Sequence, residues 1–524
     1  MNYRSHLKCN SLSIALIFIV FLMSFLPVAG SFAATLPTLP QTYIDTTYSP
    51  PSGNTITVNS GGNLQTALNN AQLGDTIVLQ AGARFTGPFT LPNKSSGSGW
   101  IYIQSSAYSS LPPPGTCVSI SDASNMPKIT VATGGRSAIE TATNAHHYRF
   151  IGIEFKPVAN NFVYNLIRIG NADTSTSALP GDIVFDRCCI HGDPAKGGRR
   201  GVAMDGIRIA VIDSHVSDFK EVGADTQALC AYNTPGPLKI VNNYLEAAGE
   251  NVMLGGADPQ ITNCVPSDIE IRLNHFFKPL SWMGSSWTVK NLLEFKNARR
   301  VLVEKNRFEN NWPAAQNGFS LLITPRNQDN KAPWSATQDI TIRLNRFSNV
   351  AQGINILGTD DISPSQRTTR VLIQNNVIYV TGLGGSDGRL FQLLAGPVDI
   401  TIDHNTGFCT TAYGMSENFS KADQFVFQNN IVTHGTYGFI GTGTSNANTT
   451  LNTFYTNWRF TNNVIIGGSA SGHPPGNYFP ADISAVVFSN ASAGDFRLSG
   501  SSPYRNAAVD GKDLGANINL ITAP

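Results

Sequence analysis

The sequence has 524 residues, with 36 Lys and Arg against 35 Asp and Glu. A chain so close to neutral has no electrostatic field that would draw it to nucleic acid or to an anionic membrane. Charged residues make up only 14% of the chain and glycine contributes 48 residues, a composition that indicates a turn-rich extracellular β protein and argues against disorder.

The first 34 residues predict a signal peptide. Arg4 and Lys8 form a basic start, an apolar run follows from Ile14 to Ala29, and "SFAA" at 31–34 supplies small residues for cleavage. This is the order of regions in a secretory leader. No second run of about 18 apolar residues follows, so we expect a secreted protein, extracellular or periplasmic, with no membrane span. The alternative is an uncleaved N-terminal anchor.

Beyond the leader we predict a linker over residues 35–54 and one domain over residues 55–524. The domain begins with one short amphipathic helix, in which Leu64, Ala67, Leu68 and Ala71 recur at helical spacing. A solenoid must seal its open end, and this helix is suited to that.

A short pattern of alternating apolar residues followed by Asn or Asp recurs ten times, as in "KIVNNYL", "VLVEKNRF" and "ITIRLNRF". Each period contains only short strands, which predicts a coil of stacked rungs paired in parallel at about 4.8 Å. Asn suits a fixed point of each rung because it tolerates a left-handed bend and because stacked Asn side chains hydrogen-bond to each other. The aligned positions are Asp186, Asp213, Asn243, Asn274, Asn306, Asn345, Asn376, Asn405, Asn430 and Asn463.

Two segments near the ends of the chain resemble the pectate-lyase-like superfamily. Residues 55–91, which include "GDTIVLQAG", resemble its N-terminal cap, and residues 496–516 resemble its common ending. This resemblance implies an all-β fold: a single-stranded, right-handed parallel β-helix of about ten or more rungs with an N-terminal capping helix.

Six cysteines follow the predicted leader, and the sequence does not decide their state. Export permits disulfides, and six thiols allow 15 pairings. Buried free thiols are the equal alternative, and no CxxC pair or Cys/His cluster indicates zinc. The six are Cys117, Cys188, Cys189, Cys230, Cys264 and Cys409.

Three long connections, 255–268, 324–339 and 358–370, predict a groove along one face, because solenoid insertions collect at one corner. Lys296 and Arg326 are 30 residues apart, close to one turn, and Asp360 follows after 34 more. We therefore expect the three residues in single file, about 5 Å apart. Strand parity predicts that Lys296 and its neighbour Glu294 point outward to solvent.

A charged groove suits an acidic, uronate-containing polysaccharide. Its cleavage by β-elimination requires neutralisation of the sugar carboxylate, a base for the adjacent proton and a proton donor for the leaving oxygen. A lysine serves as the base when neighbouring cations lower its pKa, and tryptophan faces stack on sugar rings. The expected substrate-binding residues are Arg299, Arg300, Asp258, Asp360 and Trp334.

Residues 291–308, "NLLEFKNARRVLVEKNRF", followed by "FSLLITPRNQ", resemble the core of the parallel β-helix alginate lyases and chondroitinase B. This resemblance implies that Lys296 is the catalytic base and Arg326 the acid or charge stabiliser. It also implies bound Ca²⁺. Because Asn291 stands where that family has a calcium-binding Glu, the ligands would be Glu294 or Asp258.

Three interpretations of function follow. The first is a secreted, monomeric polysaccharide lyase. The second is a glycoside hydrolase that takes its carboxylate pair from Asp205, Asp258, Asp360 and Asp361. The third is a non-catalytic protein that binds glycans or mediates adhesion, in which the same charges are solvated or cap loops.

Overall fold

The computed structural model describes residues 34–417 and 420–522. The predicted signal peptide lies outside the described residues except for Ala34. Among the described residues, no helix is long and apolar enough to cross a membrane.

Three long parallel sheets form the described part of the molecule, and each complete turn of the chain adds one strand to every sheet, whereas the turns at the two ends are incomplete. Sheet 1 has 14 strands: Thr55–Val58, Thr76–Leu79, Ile101–Ser105, His146–Ile151, Gly181–Asp186, Ile207–Ile212, Leu238–Val241, Ser267–Arg272, Ala298–Glu304, Thr337–Arg343, Thr369–Gln374, Val398–Asp403, Ala422–Gln428 and Tyr455–Thr461. Sheet 2 has 13 strands: Arg84–Gly87, Lys128–Val131, Glu154–Pro157, Cys189–His191, His215–Phe219, Tyr244–Ala247, His275–Phe277, Arg307–Asn311, Arg346–Val350, Val377–Val380, Thr406–Phe408, Ile431–Thr433 and Val464–Ile466. Sheet 3 has 12 strands: Phe89–Leu91, Ile139–Thr141, Asn165–Ile169, Arg200–Met204, Gln227–Ala231, Glu250–Leu254, Leu293–Phe295, Phe319–Ile323, Gln352–Leu357, Phe391–Leu394, Ala412–Glu417 and Gly438–Gly441. The order of strands in each sheet follows the chain, as a solenoid requires.

The remaining elements are short. One antiparallel pair, Phe488–Asn490 with Asp495–Leu498, lies near the C-terminus. The α-helices are Leu64–Asn70, Ala447–Phe454 and Ile518–Thr522. The 3₁₀ helices are Tyr108–Ser110, Ile120–Asn125, Thr176–Ala178, Leu280–Trp282, Leu383–Gly385, Ile483–Val486 and Ala491–Ala493.

The predicted capping helix is present at Leu64–Asn70. The side chain of Asn63 accepts a hydrogen bond from the backbone N–H of Thr66 and so caps the first turn. Leu64 and Leu68 are buried in the hydrophobic core, so the apolar face of the helix covers the first rungs as the spacing predicts.

Identical side chains stack along the interior of the solenoid. Phe276, Phe308 and Phe347 occupy the same place in successive strands of sheet 2, with ring centroids 4.6 and 4.4 Å apart. All three are fully buried, and burial of each ring contributes about 1.5–3 kcal/mol. Truncation of the central Phe308 to Ala would cost about 3–5 kcal/mol, because the neighbouring rings cannot collapse into the gap.

The predicted asparagine file is confirmed from Asn243 to Asn463. Each Nδ2 donates to the Oδ1 of the next asparagine at 3.0 Å, and each backbone N–H donates to the same oxygen. Every member is at most 2% exposed. The file therefore satisfies the backbone at one corner of every rung.

Two details of the predicted file are wrong. In the earlier rungs the file continues through Ser214 and Cys188, not through Asp213 and Asp186, since Ser214 N–H donates to Asn243 and Cys188 N–H donates to Ser214. Asp186 instead lies on the outer face and pairs with two arginines. The left-handed conformation belongs to the residue before each asparagine; these are Asn242, Leu273, Lys305, Leu344, Asn375, His404, Asn429 and Asn462. The preceding residue therefore forms the bend, and the asparagine side chain makes its hydrogen bonds next to it.

The six described cysteines are free thiols, of which five are buried and Cys117 is half-buried. Burial raises the pKa of the Cys188 thiol to about 12, so this group stays protonated and packs as a small apolar side chain. Of the two alternatives left open by the sequence, the structure has the free thiols.

Candidate functional site

The three long connections lie together at the edge of sheet 3 and are joined by hydrogen bonds. Asp258 in the first connection accepts the backbone N–H groups of Asp329 and Lys331 in the second, both at 2.9 Å. Asp360 in the third accepts the N–H of Asn327 in the second at 2.8 Å. These aspartates therefore join the three connections to each other through hydrogen bonds.

Lys296, Arg326 and Asp360 stand in single file along this edge, as their spacing predicts. The backbone N–H of Arg326 donates to the carbonyl of Lys296 at 2.9 Å. The Nη1 of Arg326 lies 2.5 Å from Asp360 and 2.8 Å from Asp361. Two carboxylates thus hold the guanidinium of Arg326, a residue whose backbone is hydrogen-bonded to that of Lys296.

Glu294 is buried, which corrects the prediction that it points to solvent. Its Oε1 accepts a hydrogen bond from Thr324 at 2.9 Å and lies 3.7 Å from the Nζ of Lys296. Its Oε2 accepts from Asn291 at 2.9 Å. Its side chain is only 3% exposed whereas that of Lys296 is 15% exposed, so the lysine lies at the surface and the carboxylate behind it.

The backbone at Gly255 makes room for Lys296. A Cβ there would lie 2.7 Å from the nitrogen of Asn297 and 3.0 Å from the Cβ of Lys296, and the φ of Gly255 is +89°. Other residues rarely adopt this conformation. Glycine at this corner therefore allows the backbone of the preceding rung to lie close to Lys296 and Asn297.

A second carboxylate group lies one rung below Glu294. Glu250 is fully buried, accepts a hydrogen bond from Gln227 at 2.7 Å and lies 3.8 Å from the Nζ of Lys290. Lys290 is bound more tightly to Asp225, at 2.6 Å. Burial, together with the charges of Glu294 and Asp225, raises the pKa of Glu250 to about 7. Burial disfavours the charged form of Lys290, but the charges of Glu250 and Asp225 prevail and raise its pKa.

Glu250 and Asp225 were missed from the sequence. Glu250 pairs in register with the position of Asn291, but the intervening chain contains both the connection 255–268 and the segment 278–290, so the separation of 44 residues from Glu294 hides their proximity.

The other predicted substrate-binding residues are spread over several places. Arg300 lies on sheet 1 and pairs with Asp268 at 2.6 Å, away from the Glu294 cluster. Arg299 lies in the same strand of sheet 1, Ala298–Glu304, and its backbone N–H donates to the carbonyl of Pro266 at 2.8 Å. Trp334 lies in the second connection, and its Nε1 donates to the carbonyl of Cys264 at 3.2 Å. Trp334 therefore joins the first two connections, as Asp258 does.

The two residues named as calcium ligands, Glu294 and Asp258, have different partners. Both oxygens of Glu294 accept hydrogen bonds, whereas Asp258 uses one oxygen to hold two N–H groups and its other oxygen is buried without a hydrogen-bond partner in the part of the chain that the structure describes. Among the described residues, no group of three or more His, Cys, Asp or Glu is arranged to hold a metal ion. The amino groups of Lys290 and Lys296 lie 3.8 and 3.7 Å from the buried carboxylates of Glu250 and Glu294.

No protein-family profile and no curated protein matches this sequence. Among solved structures, the PL6 family alginate lyase AlyGC aligns over 90% of this chain and 59% of its own, with 13% identity and a TM-score of 0.51. The fold is a right-handed parallel β-helix. This β-helix spans only 59% of the AlyGC chain, and so low an identity shows the fold alone. The PL6 polysaccharide lyase Pedsa3628 from Pseudopedobacter saltans aligns over 88% of this chain and 99% of its own, with 10% identity and a TM-score of 0.43. Pectate lyase Pel9A aligns over 88% and 96%, with 12% identity and a TM-score of 0.33.

Proposed function

We propose that this β-helix is a secreted, monomeric polysaccharide lyase that cleaves a uronate-containing glycan by β-elimination. The observation that carries the proposal is the juxtaposition of Lys296 and Arg326 on adjacent rungs, with the buried Glu294 directly behind the lysine. The three connections are joined by hydrogen bonds at the edge that carries Lys296 and Arg326, and in this proposal a linear polymer lies along them.

In this mechanism the neutral amine of Lys296 accepts the proton on the carbon next to the sugar carboxylate and becomes an ammonium group. The electron pair of that C–H bond forms a carbon–carbon double bond, and the bond to the glycosidic oxygen breaks. Lys296 then carries the proton that the departing oxygen needs. Thr324 donates to Glu294, and Glu294 lies 3.7 Å from the Nζ of Lys296 and positions it; such positioning is a large part of acid–base catalysis.

Arg326 supplies a fixed positive charge beside the lysine. An arginine remains protonated at any working pH, so it acts by stabilising the negative charge that develops on the uronate. Asp360 and Asp361 bind its guanidinium group and so fix the position of that charge. No step of this mechanism passes through calcium.

The hydrolase interpretation has less support from the geometry. Its four aspartates are engaged elsewhere: Asp205 accepts two backbone N–H groups at 2.8 and 2.9 Å, Asp258 accepts two at 2.9 Å, and Asp360 and Asp361 bind Arg326. Such side chains stabilise connections, whereas a hydrolase needs one carboxylic acid and one carboxylate free to face the glycosidic bond.

One assay separates the three functions. Purified protein is incubated with alginate, chondroitin or pectate while the ultraviolet absorbance of unsaturated uronates and the release of reducing ends are both followed. A lyase raises both signals. Reducing ends without absorbance would replace the proposal with a hydrolase, and glycan binding without either signal would replace it with a binding protein.

The variant Lys296→Ala tests the assignment of the base. We expect the rate to fall by about 10²–10⁴-fold, the usual contribution of a positioned acid–base group, with the circular dichroism spectrum unchanged. Lys512→Ala is the matched control, because Lys512 is an exposed lysine in an ion pair with Asp510. Full activity of Lys296→Ala would eliminate the assignment.

A further inference from the structure

The segment before the first strand runs along the outside of sheet 1. Residues 35–41 have the sequence "TLPTLPQ", in which the triplet Thr-Leu-Pro occurs twice. The backbone N–H groups of Thr35, Thr38 and Gln41 donate to Asp399, Asp339 and Asp268 at 2.7, 3.0 and 2.8 Å. The donors are thus three residues apart and the acceptors two rungs apart.

The acceptors belong to a ladder of alternating charge on sheet 1. All of its members have a left-handed backbone, with φ from 51° to 61°. In successive strands they are Asp268, Arg300, Asp339, Arg370 and Asp399. Asp268 binds Arg300 and Asp339 binds Arg370, both at 2.6 Å. Every second rung therefore presents a carboxylate, and an arginine fixes the orientation of the first two, Asp268 and Asp339.

The periodicity of the segment matches that of the ladder. A polyproline II helix has three residues per turn and rises about 3.1 Å per residue, so six residues span about 19 Å. Four strand spacings of about 4.8 Å give the same length. A β-strand of similar length would turn every third N–H to the opposite side, and proline in the third position of each triplet favours polyproline II for itself and for the residue before it.

Burial along the segment has the same period. Pro40 is buried and Pro37 is half-buried, whereas Leu36 and Leu39 are 59% and 36% exposed. The prolines thus face the sheet while the leucines face solvent. Further along, Ile44 packs in an apolar cluster with Val184 of sheet 1.

We propose that the Asp/Arg ladder of sheet 1 is a binding site for an extended peptide of the polyproline II type with one backbone N–H donor in every third residue. The ligand that fills it is residues 35–41 of this chain. Occupancy fastens the rungs from Ser267–Arg272 to Val398–Asp403, and these include the rungs that carry Lys296 and Arg326.

Amide hydrogen exchange of the full chain tests the proposal. In Asp339→Ala, peptides that contain Thr38 should exchange faster by about tenfold or more, as expected from loss of a charge-assisted hydrogen bond. Asp182→Ala is the matched control. Like Asp339, Asp182 belongs to sheet 1, has a positive φ of 51° and binds an arginine, Arg208, at 2.6 Å, but it accepts no hydrogen bond from residues 35–41. Equal acceleration in both variants, or exchange of the native segment at the rate of an unstructured peptide, would overturn the proposal.

A pair of proline variants tests the three-residue period without changing the ladder. Thr38→Pro removes a donated N–H but keeps the polyproline II conformation, so residues 35–47 should become more sensitive to limited proteolysis. Leu39→Pro makes the same chemical change at an exposed residue whose N–H is not one of the three donors, and should leave the cleavage rate unchanged. Equal sensitivity of the two variants would contradict the period.

Discussion

Replacement of Asn345 by Ala removes one member of the buried asparagine file from the middle of the solenoid. Its Nδ2 donates to the carbonyls of Val303 and Arg343 at 2.9 Å and to Asn376 at 3.0 Å, and its Oδ1 accepts both the N–H and the Nδ2 of Asn306 at 2.9 and 3.0 Å. The two N–H hydrogens of the amide are shared among three acceptors, so at most four hydrogen bonds are lost, each with a net contribution of about 1 kcal/mol, and several buried groups are left without partners. We expect the free energy of unfolding to fall by about 3–5 kcal/mol.

Denaturant unfolding followed by circular dichroism measures this loss as a shift of the midpoint at constant slope. Asn452→Ala makes the same chemical change on the exposed face of the helix Ala447–Phe454 and should stay within about 0.5 kcal/mol of the native chain. Asn345→Ser should lose less than Asn345→Ala, because Ser214 already occupies the file. A loss below about 1 kcal/mol for Asn345→Ala would refute the reasoning that each member carries the corner of its rung.

Three further results are expected. Burial opposes ionisation of Glu154, but hydrogen bonds from His191, Lys156 and Lys128 lower its pKa from 4.5 to about 2. The ionised carboxylate therefore contributes about 3 kcal/mol of stability above pH 4.5, and this contribution is lost as the pH falls to about 2. In acid titrations Glu154→Gln should flatten that part of the stability curve. Lys278 is fully buried and donates to three carbonyls and to Asn251. Lys278→Met should therefore lower the free energy of unfolding by about 3–5 kcal/mol. A midpoint of denaturant unfolding equal to that of the native chain would contradict this role. Chelation by EGTA should leave the lyase rate unchanged, because the proposed mechanism uses Lys296 and Arg326 and no metal ion; loss of activity restored by calcium would show that the metal is required.

The architecture was predictable because one short pattern carries it. Alternating residues such as those of "VLVEKNRF" define the inward face of a strand, and the recurrence of Asn at near-equal spacing implies a file of stacked side chains. The first two members were misplaced because Asp186 and Asp213 resemble the file by residue type alone. Register, and not similarity of side chains, decides that Cys188 and Ser214 hold those places.

The candidate site was predictable only in part. Lys296 and Arg326 are separated by one ordinary turn, so their proximity follows from counting residues. Glu250 cannot be placed in this way, since two insertions lengthen its rung. The burial of Glu294 also escaped the parity argument, because parity says which side of the sheet a residue faces but not what covers that side.

The role of Lys296 is tested most directly by the rate of Lys296→Arg on an acidic polysaccharide, measured from the absorbance of unsaturated uronates. Arginine keeps the positive charge and the length of the side chain but does not give up its proton. If Lys296 accepts the proton, the rate falls by about 10²–10⁴-fold, as far as in Lys296→Ala. Near-native turnover by Lys296→Arg would show that the position supplies only charge, and would contradict the proposed mechanism.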